Sequence, residues 1–223
     1  MSSHSGRGQL ITLEGIEGVG KSTQVSTVTA WLEAQGLTAL ATREPGGTAR
    51  AERIREVLLD TEGDELPPLA ELLLMFAARQ THISNLILPA LRRGEWVVCD
   101  RFTDATRAYQ GAGRGLDDVP IETLASWVHG EELRAPDCTV LLDAPVDVAL
   151  ARVRTRRGRT DRFEQEAAPF FARVRDRYLV LAEQEPDRFL VIDAAQGGPD
   201  AVAARIREAL TARYSAQLVH GDG

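Results

Sequence analysis

Lysine is almost missing from this chain: Lys21 is the only one in 223 residues, and every other basic side chain is arginine. Cysteine is scarce too. Cys99 and Cys138 each sit beside an apolar, strand-like run, which excludes a disulfide scaffold and reads as buried free thiols in a reducing cytosol. No apolar run approaches the roughly 18 residues needed to span a bilayer, so no membrane partner is expected. Positive charge is in deficit, with a net charge of −7, which argues against a long nucleic-acid polyanion as partner. Internal repeats, low-complexity linkers and a second composition regime are all absent, which predicts one domain over 1–223, with residues 1–8 and 215–223 loose at its ends. The short polar start "MSSHSGRG" runs straight into a strand pattern and does not read as a signal peptide.

The single lysine lies in "LITLEGIEGVGKSTQV", residues 10–25, where G-x-x-x-x-G-K-S runs from Gly15 to Ser22. That spacing is a phosphate-binding loop whose backbone N–H groups and following helix N-terminus cradle phosphate oxygens. A chain that otherwise avoids lysine keeps one where such a loop needs it. Gly15, Ile16, Glu17, Gly18, Val19, Gly20, Lys21, Ser22 and Thr23 are therefore the candidate ATP-binding residues. Lys21 would reach the terminal phosphates, and the Ser22 hydroxyl would ligate Mg²⁺. Downstream, "LTALATREPGG", "EWVVCD", "TVLLDAP" and "FLVID" read as strands, separated by helical patterns. Among these, residues 67–94 read as one long helix that Pro89 kinks or ends. The alternation predicts an α/β fold: a P-loop NTPase-type three-layer sandwich with a five-stranded parallel sheet and helices on both faces.

Four segments together, "EGIEGVGKST" (14–23), "TREPGGT" (42–48), "DRFTDATRAYQGAGRG" (100–115) and "GRTDRFEQE" (158–166), resemble bacterial thymidylate kinase in order and spacing, from about residue 9 to 213. The resemblance implies transfer of the ATP γ-phosphoryl group to dTMP with Mg²⁺, giving dTDP on the way to dTTP, by a cytoplasmic homodimer. It also implies a cis bond before Pro45. A kinase of another nucleoside monophosphate would differ only in the acceptor pocket. A regulatory GTPase is the remaining alternative and the sequence argues against it: "DTEG" at 60–63 imitates a switch motif, but guanine-reading [NT]-K-x-D is impossible with Lys21 alone.

By the same resemblance, Arg43 and Arg101 face the acceptor phosphate and the transferred group, and Asp100 acts on Mg²⁺ directly or through water. Arg79 matches the arginine that bonds the thymine. Met75 stands where that family has a stacking phenylalanine and Phe76 follows it, so either can cover the base. Thr106, Tyr109 and Gln110 line the nucleoside, with the Tyr109 ring crowding a 2′-hydroxyl. Glu164 lies near metal and substrate. Glu17 accepts a hydrogen bond from the 3′-hydroxyl, which explains a carboxylate in a loop built for phosphate. Some relatives carry an arginine after it; here the neighbour is Gly18. The missing charge is expected from Arg154, Arg156, Arg157, Arg159 and Arg162 in "RVRTRRGRTDR", a lid at about 151–164, with Arg157 and Arg159 the first choices for catalysis.

Overall fold

The computed structural model describes residues 6–62, 64–155 and 162–218. Five strands, β1 (Leu10–Glu14), β2 (Ala39–Arg43), β3 (Trp96–Asp100), β4 (Cys138–Asp143) and β5 (Phe189–Asp193), pair in parallel in the order β2-β3-β1-β4-β5. The three central strands are continuous apolar runs buried on both faces, as a helix-covered parallel sheet requires. At β1 the order turns, with β3 on one side and β4 on the other. In open α/β sheets the carboxyl ends at such a point are where ligands bind.

The helices around the sheet are α1 (Lys21–Ala34), α2 (Ala49–Leu59), α3 (Pro68–His82), α4 (Leu88–Arg92), α5 (Thr103–Thr106), α6 (Asp118–His129), α7 (Val146–Thr155), α8 (Ala168–Gln184), α9 (Gly198–Arg213) and α10 (Ser215–Leu218). The long helix expected over 67–94 runs as α3, a π-helical segment Ile83–Ile87, and α4. Pro89 has no N–H to donate, and the wider π turn lies directly before the turn that holds it. A second π segment, Arg107–Gly113, follows α5. Two sequence expectations about the ends need correction. Gly8 N donates to Leu91 O at 2.8 Å and Arg7 pairs with Asp137 at 3.1 Å, so 7–8 are tethered. Residues 215–218 form α10 instead of trailing loosely. Both cysteines are buried free thiols, and burial pushes Cys138 up to about 12.

Asp104 on α5 ties the segment after β3 to the far side of the sheet. It is fully buried, and accepts from Arg188 Nη1 at 2.6 Å and Nη2 at 3.1 Å, from Arg107 Nη1 at 2.9 Å, and from the Thr139 hydroxyl at 3.1 Å. Burial alone would raise its pKa, but the two guanidinium groups hold it below the ordinary carboxylate value. Removing one partner from a buried charge costs more than an exposed pair is worth. Arg188→Met should therefore destabilise the fold by about 3 kcal/mol, seen as a lower urea midpoint with an unchanged slope. A loss below ~0.5 kcal/mol would show that Arg107 alone satisfies Asp104.

Candidate active site

The loop from Gly15 to Gly20 links β1 to α1 and bends three times through positive φ, at Gly15 (132°), Gly18 (81°) and Gly20 (97°). At Gly18 a Cβ would fall 2.0 Å from the Ala149 carbonyl oxygen, because α7 packs directly on the loop. No side chain fits there, which is a local reason for the missing arginine. Lys21 Nζ donates to Gly15 O at 3.0 Å and Ile16 O at 2.8 Å, across the loop's mouth. Its pKa falls to about 8, first through burial and then through the nearby Arg101, with Asp100, Glu17 and Glu14 offsetting part of the drop.

Asp100 ends β3 and Arg101 follows it in the left-handed region at φ 70°, the one non-glycine residue with positive φ among the described residues. The Arg101 guanidinium spans the site. Nη1 donates to Gly15 O at 2.9 Å and to Tyr178 Oη at 3.3 Å, while Nη2 donates to Glu17 Oε1 at 2.7 Å and Tyr109 Oη at 2.9 Å. Tyr109 donates to the other Glu17 oxygen, so the loop carboxylate is held from two sides. The Ser22 hydroxyl donates to Asp100 Oδ2 at 3.0 Å, and Asp100 Oδ1 is buried with no partner among the described residues. A hydroxyl beside a carboxylate with one uncommitted oxygen fits the sparse protein ligation that Mg²⁺ takes alongside substrate phosphates.

These residues wall a cavity of about 370 Å³ that continues between the carboxyl ends of β2 and β3 towards α3. Arg43, Glu44, Pro45, Met75, Arg79, Thr106, Gln110 and Glu164 line it as well. The Glu44–Pro45 bond is cis, as expected. Of the two candidates for covering a base, Met75 is on the cavity wall. Phe76 is a correction: it is buried with Leu72, Ile121 and Ala125, its ring 4.9 Å from the Arg79 guanidinium, because the helix turns that position into the α3–α6 contact. Arg43 is half exposed and pairs with Glu52 at 2.9 Å. Gln110 Nε2 donates to the buried Glu71 at 2.7 Å.

Of the arginine run, Arg156, Arg157 and Arg159 lie outside the described residues. Arg154 is exposed on α7. Arg162 turns away from the phosphate loop: it donates to Leu58 O at 3.1 Å and pairs with Glu71. Sequence reasoning passed over Glu14, Glu44, His82 and Tyr178: Glu14 and Tyr178 border apolar runs, while Glu44 and His82 follow polar neighbours. Glu14 accepts from Phe102 N and from the Tyr178 hydroxyl, both at 2.7 Å. Burial, then the Asp104 charge, raises its pKa from 4.5 to about 8 against the pull of Arg101 and those two bonds. The signal was available, since a carboxylate closing a buried strand demands partners.

Comparison with known proteins covers nearly the whole chain. The protein-family model for thymidylate kinase matches residues 13–206. The thymidylate kinase of Chromohalobacter salexigens is 56% identical over 209 residues, 93% of this chain and 97% of that protein. That of Methylococcus capsulatus is 58% identical over 187 residues, 84% and 88% of the two chains. The crystal structure of thymidylate kinase from Ehrlichia chaffeensis superposes with a TM-score of 0.74 at 31% identity, over 92% of this chain and 99% of that one. With the loop, the cis turn and the Asp100–Arg101 pair all built onto one sheet edge, the chain belongs to the thymidylate kinase family.

Proposed function

We propose that the chain, acting as one domain, transfers the γ-phosphoryl group of ATP to dTMP, giving dTDP and ADP. One observation carries the reading. Lys21 of the phosphate loop and the buried Arg79 wall the same cavity, and Arg79 Nη1 has no partner among the described residues. A donor left unpaired in a buried site is costly until a ligand oxygen meets it. ATP phosphates on the loop and a base at Arg79 would then set an acceptor phosphate near Arg101 and Arg43.

In phosphoryl transfer the protein chiefly positions the groups and stabilises charge on the equatorial oxygens. Lys21 and Arg101 supply positive charge from two sides. Glu17, held by Arg101 and Tyr109, would accept the 3′-hydroxyl and so fix the sugar. Met75 would cover the base, with Thr106 and Gln110 at its edge and Glu164 beside the sugar-phosphate. Ser22 and Asp100 would hold Mg²⁺, which supplies charge neutralisation when bound. Further positive charge from Arg157 and Arg159 is proposed on the composition of the run alone. We also propose a cytoplasmic homodimer. The exposed Leu69 and Leu73 on α3 and Trp127 on α6 offer an apolar face for a second copy, and sedimentation as a monomer at micromolar concentration would remove that part.

The direct test is turnover with ATP and a panel of monophosphates. dTMP should be the preferred acceptor, Lys21→Ala should lower kcat by orders of magnitude, and Tyr109→Ala should narrow the gap between dTMP and its ribose counterpart. Equal kcat/KM for the two sugars in the unaltered protein would refute the role given to Tyr109.

Lys21 also makes nucleotide binding proton-linked. Phosphate beside the ammonium raises its pKa above the value of about 8 in the free protein, so binding takes up a proton wherever the free lysine is neutral. ATP affinity should be flat below that pH and fall as pH rises through it. Calorimetry at pH 8.5 in two buffers of different ionisation enthalpy should register uptake of roughly three-quarters of a proton per site. Zero uptake, or release, would contradict the assignment.

A further inference from the structure

The turn after β2 and the helix α3 meet in a buried polar chain that reaches the cavity at one end. Arg79 Nε donates to Glu44 Oε2 at 2.6 Å, and Nη2 donates to the Thr106 hydroxyl at 3.1 Å. The other Glu44 oxygen, Oε1, is 2.9 Å from His82 Nδ1, and His82 Nε2 is 2.8 Å from the Thr42 hydroxyl. Glu44, Arg79 and His82 are all buried, His82 completely. A carboxylate only accepts, so His82 Nδ1 carries the proton and donates. Burial would raise the Glu44 pKa, but Arg79 and His82 hold it below the ordinary value, which keeps it the ionised acceptor that both donors need. The turn is built on this histidine: a Cβ at Gly47, where φ is +83°, would lie 2.3 Å from His82 Nε2 and 2.6 Å from Thr42 Oγ1.

The chain leaves the guanidinium no freedom. Two of its three nitrogens are committed, and its plane lies over the rings of Phe76 at 4.9 Å and Phe102 at 5.2 Å. The remaining nitrogen, Nη1, can only donate. A ligand atom that meets it must therefore accept, as a carbonyl oxygen does and an exocyclic amine does not.

We propose that His82 and Glu44 are positioning residues for base selection: through Arg79 they hold Nη1 as a fixed donor, so that the site takes a 4-keto pyrimidine over its 4-amino counterpart. This rests on the dTMP reading above. Without the His82 bond, Glu44 can rotate and Arg79 with it, and the donor is no longer aimed. Binding of the base then weakens while the phosphate machinery, on the other side of the cavity, is untouched.

The test compares His82→Asn, His82→Gln and Glu44→Gln, with dTMP and 5-methyl-dCMP as acceptors, which differ in the 4-substituent, keto against amino, and in the N3 hydrogen that goes with it. Asparagine places an amide N–H near where Nδ1 lies and keeps the bond to Glu44; glutamine places one near Nε2 and loses it. His82→Gln should raise the KM for dTMP by about tenfold and lower the kcat/KM preference for dTMP over 5-methyl-dCMP by a similar factor. The KM for ATP and kcat at saturating dTMP should stay within about twofold. His82→Asn should stay near the unaltered protein. Glu44→Gln, which accepts from only one of the two donors, should repeat the His82→Gln result and serves if that variant does not fold. The proposal is overturned if folded His82→Gln and Glu44→Gln keep both the dTMP KM and the preference. It is equally overturned if both acceptors weaken by the same factor, which marks a purely structural role. An unaltered protein that does not phosphorylate dTMP instead fails the functional reading, and this proposal with it.

Discussion

The Arg101 residue joins the two strand ends on which the site is built, and it does so in a backbone conformation that costs about 1 kcal/mol or more for a side chain with a Cβ. The conformation persists because its surroundings pin it. Arg101 N donates to Leu13 O at 3.0 Å, Phe102 N donates to Glu14 Oε1 at 2.7 Å, and the Cys99 thiol donates to Arg101 O at 3.0 Å. With the backbone held against the end of β1, the guanidinium reaches Gly15 O, Glu17, Tyr109 and Tyr178 at once. The phosphate loop, its carboxylate Glu17 and the cavity wall are thereby fixed relative to one another, which is the geometric requirement of a reaction that depends on positioning.

Three buried glutamate and aspartate groups show how partner choice sets charge in this fold. Glu14, with only a hydroxyl and a backbone N–H as direct partners, is raised to about 8. Glu44 and Asp104 experience comparable burial but sit against guanidinium groups, and both are lowered. One carboxyl with a raised pKa thus closes β1 before the loop, while two that are held ionised lie after β2 and on α5. A guanidinium, with five donors in a rigid fork, satisfies several buried acceptors together, which a lysine does not. The near-absence of lysine is consistent with how many arginines serve this way, among them Arg79, Arg101, Arg107 and Arg188.

Much of the fold was legible from periodicity. Five apolar runs gave five strands, and the Gly15–Ser22 spacing marked where the sheet would bind phosphate. What escaped was of two kinds. Helix α6 was not assigned, although Asp117 before it, Pro120 in its first turn and Gly130 after it are ordinary start and stop signals. The π segments before Pro89 and after Thr106 leave no periodic trace at all, because they depend on what packs against them. In the site, Lys21 stood out by the spacing of its loop, and Arg101 and Asp100 by the resemblance of their segment to the family's. The choice between Met75 and Phe76 did not, since one residue rotates a side chain about 100° around the helix and only the position of α6 decides which faces the cavity. Glu44 and His82 are 38 residues apart and meet only through the turn that crosses α3.

The central claim, that Arg101 is the group on which the acceptor phosphate is recognised, is tested most directly by calorimetric affinities for dTMP and for thymidine in the unaltered protein and in Arg101→Met. Methionine meets the same backbone strain, so the comparison isolates the guanidinium. The account predicts that the variant loses about 100-fold in dTMP affinity while thymidine affinity changes by less than about threefold. Equal weakening of both ligands, or no change in either, would contradict it.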